Sequence, residues 1–175
     1  FVDELVYAGI DAASNSAFLP DGRLLVVGQY TAQLTVVPTN PTGVAHVAGT
    51  IPNVRSGGEA GLLGVTPDPG FPARPYVYVH ATHTPPNEIR VTRYTLEGDL
   101  AYAGNGAMTL VPGSARVVLG ALPDFAPKHN GGTLRFGKDA MLYVALGDDD
   151  DPCRAQDLTK LQGKILRLDV SGLPD

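Results

Sequence analysis

His129 opens the run His129-Asn130-Gly131-Gly132-Thr133-Leu134-Arg135-Phe136. Imidazole is the side chain whose ordinary pKa suits proton transfer near neutral pH. The two glycines after it let the backbone turn sharply and let another group approach closely. A lone His at a strand start is commonly just a satisfied loop residue, so its surroundings must decide. Asp148 closes the next apolar run, Leu142 to Gly147. In an antiparallel pair the start of one strand lies near the end of the next, so His129 and Asp148 are expected to be neighbours. A carboxylate on one ring nitrogen fixes the tautomer and raises the basicity of the other, which is what a general base needs.

A third feature is Gly57-Gly58-Glu59-Ala60-Gly61, just ahead of the apolar run Leu62 to Val65. Glycines around one acid allow a ligand to approach backbone; the plainer alternative is a turn with an exposed Glu. The acid run Asp148 to Asp151, with Asp157 nearby, offers oxygen ligands for Ca²⁺. It lacks the alternating spacing and mid-loop Gly of a calcium loop, so it reads as a solvated acidic turn. His46, His80 and His83 show no ligand spacing, and no metal site is assigned. There is no Ser-centred elbow and no phosphate loop.

These residues need elements to hold them, and the elements read as short strands. Pro20-Asp21-Gly22-Arg23 is a turn: Pro presets φ, Asp bonds the backbone and Gly takes positive φ. The same unit, a strand, an Asp-centred turn and an apolar strand, recurs around Asp68 and Asp139. Strands are predicted at 4–8, 15–19, 24–27, 33–37, 44–48, 62–66, 76–79, 88–95, 133–136, 141–145 and 164–170. A turn is predicted over Pro38 to Gly43. Residues 88–95 alternate and read as an outer strand; 96–127 reads as loop and edge strand; Leu158 and Leu161 mark one helical turn. Such repetition points to an all-β fold, either radial repetition or a sandwich. The 175 residues form one domain with no internal boundary.

Gly (21) and Pro (15) are abundant but lie between β-like runs, as in a turn-rich β-protein rather than a disordered one. The net charge of −5 and the absence of a basic cluster argue against nucleic acid. No run is long and apolar enough for a membrane span. Cys153 is the single cysteine, either a buried thiol or a partner for a cysteine outside the chain. The start at Phe1 leads us to expect a mature, processed or trimmed product.

The runs FLPDGRLLV (18–26), GEAGLLGV (58–65), YVYV (76–79), HNGGTLRFG (129–137), LYVALGD (142–148), AQDL (155–158) and GKILRLDV (163–170) occur in this order. Together they resemble the glucose/sorbosone dehydrogenase family, soluble aldose sugar dehydrogenases that use pyrroloquinoline quinone (PQQ). The resemblance covers nearly the whole chain. It implies a six-bladed β-propeller, of which this chain is about the first half, roughly three four-stranded blades. It implies that His129 takes the proton from the sugar C1 hydroxyl as hydride moves to the quinone, giving the lactone, and that Asp148 orients His129. His129 and Glu59 become the expected cofactor contacts. The partners are then a sugar and an electron acceptor, and the location periplasmic or extracellular. The resemblance puts the cofactor-clamping Arg and Lys residues, and a Ca²⁺ site, in later blades. An open half-propeller would leave two unprotected sheet edges. Closure is therefore expected through another copy or the remaining half of the propeller, which would also carry a partner for Cys153, and the isolated chain is expected to be inactive. Two positions depart from the pattern. Glu59 stands where the PQQ enzymes commonly carry Gln, and Lys128 where sugar-oxidising relatives can carry an acid. They favour an alternative: a non-enzymatic propeller that binds a protein or glycan, as in the hedgehog-interacting protein.

Overall fold

The computed structural model of the chain describes residues 1–40 and 43–174. Its strands form three successive antiparallel sheets. The first is β1 (Ala13–Phe18), β2 (Leu24–Gly28), β3 (Gln33–Val37) and β4 (His46–Thr50), in that spatial order. The second is β5 (Leu62–Pro67), β6 (Tyr76–His83), β7 (Glu88–Gly98) and β8 (Met108–Leu110), with β9 (Arg116–Pro123) also paired to β7. The third is β10 (Leu134–Phe136), β11 (Leu142–Ala145) and β12 (Ile165–Leu168). One short helix, α1 (Pro152–Gln156), lies between β11 and β12. The first strand of each sheet is its inner one: β5 packs against β1 on one side and β10 on the other. This is how blades sit around a propeller axis.

The recurring Asp turns have one physical basis. The carboxylates of Asp21, Asp68 and Asp139 each accept the backbone N–H two residues on, from Arg23 (3.0 Å), Gly70 (2.9 Å) and Met141 (3.2 Å). Each bond closes a local turn that returns the inner strand into the second strand of its sheet. Between the sheets the apolar runs interlock. Leu25, Leu34, Ile51, Leu62, Leu96 and Met108 fill the seam between the first two sheets. Tyr78, Ile89, Leu134, Leu142 and Val144 fill the seam between the second and third. Burying each such side chain contributes about 1.5–3 kcal/mol. Every residue of β6 is buried, as befits a strand covered on both faces. In β12 the alternation holds, with Leu166 and Leu168 partly buried and Ile165 and Arg167 exposed.

Several expectations are corrected. Residues 1–9 are exposed and form no strand, because the apolar run there has no sheet to pair with. The strand expected at 88–95 is not an outer one: β7 lies inside its sheet, bonded to β6 on one side and to β8 and β9 on the other. The region 96–127 holds loop and edge strand as expected, though as two strands, β8 and β9, each paired only with β7. The helical turn lies at 152–156 rather than around Leu158, started by the Asp151 side chain, which accepts the Cys153 N–H, and by Pro152 at the first turn. The blades are unequal, with four, five and three strands among the described residues. Within the predicted turn at 38–43, residues 41 and 42 lie outside those described. Cys153 is exposed and free.

Candidate active site

Three loops meet at one end of the inner strands: residues 57–61 entering β5, 124–133 entering β10, and 146–151 leaving β11. Antiparallel pairing of β10 with β11, Leu134 opposite Val144, brings the second and third together. Close approach of backbones does the rest. A Cβ on Gly147 would overlap the carbonyl oxygen of His129, and one on Gly64 would overlap the carbonyl oxygen of Gly132. Only glycine fits at these two positions.

His129 Nδ1 lies 2.8 Å from Asp148 Oδ1. Its backbone N–H donates to Glu59 Oε2 at 2.7 Å, and its carbonyl accepts from the Asp149 N–H at 3.3 Å. His129 itself is left-handed, at φ +53°. The three sequence-predicted residues, His129, Asp148 and Glu59, therefore stand together. The imidazole is half exposed (50%) while the Asp148 side chain is 23% exposed. Among the described residues nothing bonds Nε2. The Asp148 hydrogen bond raises the His129 pKa above its ordinary value; partial desolvation opposes this, and the charges of Asp148, Glu59 and Asp150 add to it. Lys128 is ion-paired with Asp150 at 3.2 Å, both side chains largely in solvent.

The supports beneath His129 carry no recognisable sequence signal. Asp149 belongs to the expected solvated acid run, yet it is 2% exposed. It accepts the N–H groups of Phe125 and Ala126 and pairs with Arg154, whose guanidinium stacks over Phe125 at 4.9 Å. A buried carboxylate demands such partners. Asp124, equally buried, pairs with Arg55 and accepts from Asn130 Nδ2 at 2.9 Å. Burial pushes the Asp124 carboxyl upward, against the pull of Arg55. The two pairs hold residues 124–126, and Asn130 ties the far end of the loop back to Asp124 and the Ala126 carbonyl. The Asp124–Arg55 pair joins residues 69 apart in the chain, and the roles of Asn130 and of Asp149 with Arg154 depend on which groups the fold buries. Beside Asn130, in β6, His80 is fully buried and pushed down to about 4, chiefly by burial. Among the described residues no group of His, Cys, Asp and Glu is arranged to hold a metal ion.

An imidazole paired with a carboxylate thus stands where the loops enter the inner strands of an all-β, propeller-type fold. The sequence model of the glucose/sorbosone dehydrogenase family matches residues 10–174, and the chain belongs to that family. It is 30% identical to the aldose sugar dehydrogenase YliI of Escherichia coli over 169 residues, 91% of this chain and 42% of the relative. It superimposes on the PQQ-bound aldose sugar dehydrogenase of Streptomyces coelicolor with a TM-score of 0.82 at 31% identity, covering 98% of this chain and 48% of that one. It is also 31% identical to the mouse hedgehog-interacting protein over 129 residues, 67% of this chain and 17% of that protein. The chain thus spans less than half the length of these relatives.

PQQ carries three carboxylates, so its binding calls for cations. Around His129 this chain presents Asp148, Glu59 and Asp150, and the nearby Lys128 is already paired with Asp150. That donor set fits a base and does not fit a clamp for a trianion.

Proposed function

We propose that this chain is the N-terminal part of a PQQ-dependent sugar dehydrogenase, in which His129 is the general base for oxidation of an aldose at C1 to the lactone. The observation that carries the proposal is the 2.8 Å contact between His129 Nδ1 and Asp148. It leaves Nε2 as the acceptor for the proton of the sugar hydroxyl. Asp148 holds the tautomer with the proton on Nδ1 and stabilises the imidazolium that forms. The half-exposed ring can meet a sugar without first moving. The residues of this chain account for the proton and for the orientation of the base. They do not account for holding the quinone, and no step is assigned to it here. His129 is the residue we place against the cofactor; Glu59, the other expected contact, is tied to His129. A periplasmic or extracellular location and a Ca²⁺ requirement belong to the same proposal, supported by family membership alone.

The test uses the protein as its organism makes it, supplied with PQQ and Ca²⁺, a panel of aldoses and an artificial electron acceptor. Sugar-dependent reduction of the acceptor is expected. His129→Ala should lower it by about 10²–10⁴-fold, the usual contribution of a positioned base. Absence of reduction with every sugar would sink the proposal.

The second reading is a propeller that binds a protein or glycan without turnover. The excess of acid around His129, and the likeness to the hedgehog-interacting protein, favour it. Titration with PQQ separates the two: a binding module leaves the PQQ absorbance unchanged.

A further inference from the structure

Glu59 lies 70 residues from His129 in the chain, yet its carboxylate accepts the His129 backbone N–H at 2.7 Å. The loop that carries it is itself fixed. Glu59 N donates to the Pro127 carbonyl at 2.9 Å, and Gly57 and Ala60 bond each other. The Tyr30 hydroxyl donates to the Gly58 carbonyl at 2.9 Å, and the Gln29 amide reaches the carbonyls of Gly58 and Ala60 at 3.3 Å. The backbone that carries Glu59 is thus fixed, and its exposed side chain is placed by the bond to the His129 N–H.

His129 is a non-glycine residue at φ +53°. Such a conformation persists only where the surroundings over-determine it. Here they do so on three sides: the N–H on Glu59, the carbonyl on the Asp149 N–H, and the ring on Asp148. Without Glu59 the N–H has no protein partner among the described residues, and the restraint on the first of those sides is lost. A carboxylate accepting a backbone N–H is also a stronger acceptor than a neutral group.

We propose that Glu59 is a positioning residue for His129: its carboxylate anchors the backbone of the base from the loop before β5. The role rests on the reading of His129 as the base. The charged groups facing His129 are Asp148 and Asp150 from the loop after β11 and Glu59 from the loop before β5, with Lys128 neutralising part of Asp150. Glu59 thus works in the same direction as Asp148, from the opposite loop.

The test is an NMR titration of the His129 ring in histidine-labelled natural protein, alongside steady-state kinetics of sugar-dependent acceptor reduction. Glu59→Gln keeps an acceptor oxygen and removes the charge. It should lower the His129 pKa, and only modestly, because the groups are solvent-screened. Glu59→Ala should lower the pKa similarly and cut kcat by about tenfold with little change in KM, since it also loosens the backbone. Glu59→Gln should recover most of that kcat. If both variants leave the His129 titration unmoved, or weaken PQQ or sugar binding instead, Glu59 is a contact residue and the proposal fails. If the titration shifts as expected while His129→Ala stays active, the positioning role stands and the assignment of the base falls.

Discussion

The two ends of the inner strands are built in different ways. At one end sit the turns around Asp21, Asp68 and Asp139, each closed by a carboxylate bonded to the N–H two residues on. At the other end the loops share no such unit. His129 there takes its partners from residues 19, 20 and 70 positions away: Asp148, Asp149 and Glu59. The turn end is three copies of one local device, and each works without the others. The site end works only when all three loops are in place. Repetition makes the scaffold, and departure from repetition makes the site.

Substitutions that strike one end and not the other break that contrast, or sharpen it. The largest effect is expected at Gly147, where Gly147→Ala places a methyl on the His129 carbonyl and must separate His129 from Asp148. Sugar-dependent turnover in the natural protein should fall about 100-fold, as displacement of a reacting group by an ångström does. Gly137→Ala at a turn gives the matched comparison, since its Cβ would meet side-chain atoms of Asp139 and Tyr143 that can shift. It should leave turnover near that of the unaltered protein.

Next comes Asp149→Ala. It removes one of two carboxylates on the Arg154 guanidinium, Asp151 at 3.2 Å remaining, and the acceptor for the Phe125 and Ala126 N–H groups. Leaving those two N–H groups without their acceptor costs about 1–3 kcal/mol, read as a fall in the denaturant midpoint. At the turn end, Asp139 pairs with Arg167 on an exposed surface, and Asp139→Asn should scarcely move the midpoint.

A smaller effect is one of pH. His80 is buried neutral with its pKa depressed to about 4, so it stabilises the fold fully above the ordinary His value. That stability is lost as pH falls from about 6.5 toward 4, because the unfolded chain takes up the proton first. Thermal stability should decline over that interval, and less steeply in His80→Gln. An equal decline in both would exclude His80 as the cause.

How much was legible follows from the same contrast. The Asp turns and the strands after them announce themselves, because every bond that closes them lies within a few residues. The His129–Asp148 pairing follows from strand order, since β10 and β11 are consecutive. Asp149 could not be separated from Asp150 and Asp151 on the page, because their different burial is decided by Arg154 and by the backbone of residues 125–126. Nor could the bond from His129 to Glu59 be read, since it depends on how the second and third blades pack. Residues 1–9 show the reverse failure: an apolar pattern without a neighbouring strand forms no strand.

The central claim is that Asp148 makes His129 a base whose pKa lies above the ordinary value. The pH dependence of kcat/KM for sugar oxidation, compared between the natural protein and Asp148→Asn, tests it most directly. Activity should rise with pH through the raised His129 pKa, because the neutral ring is the active form, and in Asp148→Asn that rising limb should move to lower pH as the maximal rate drops. A limb that stays at the same pH in both proteins would contradict the account.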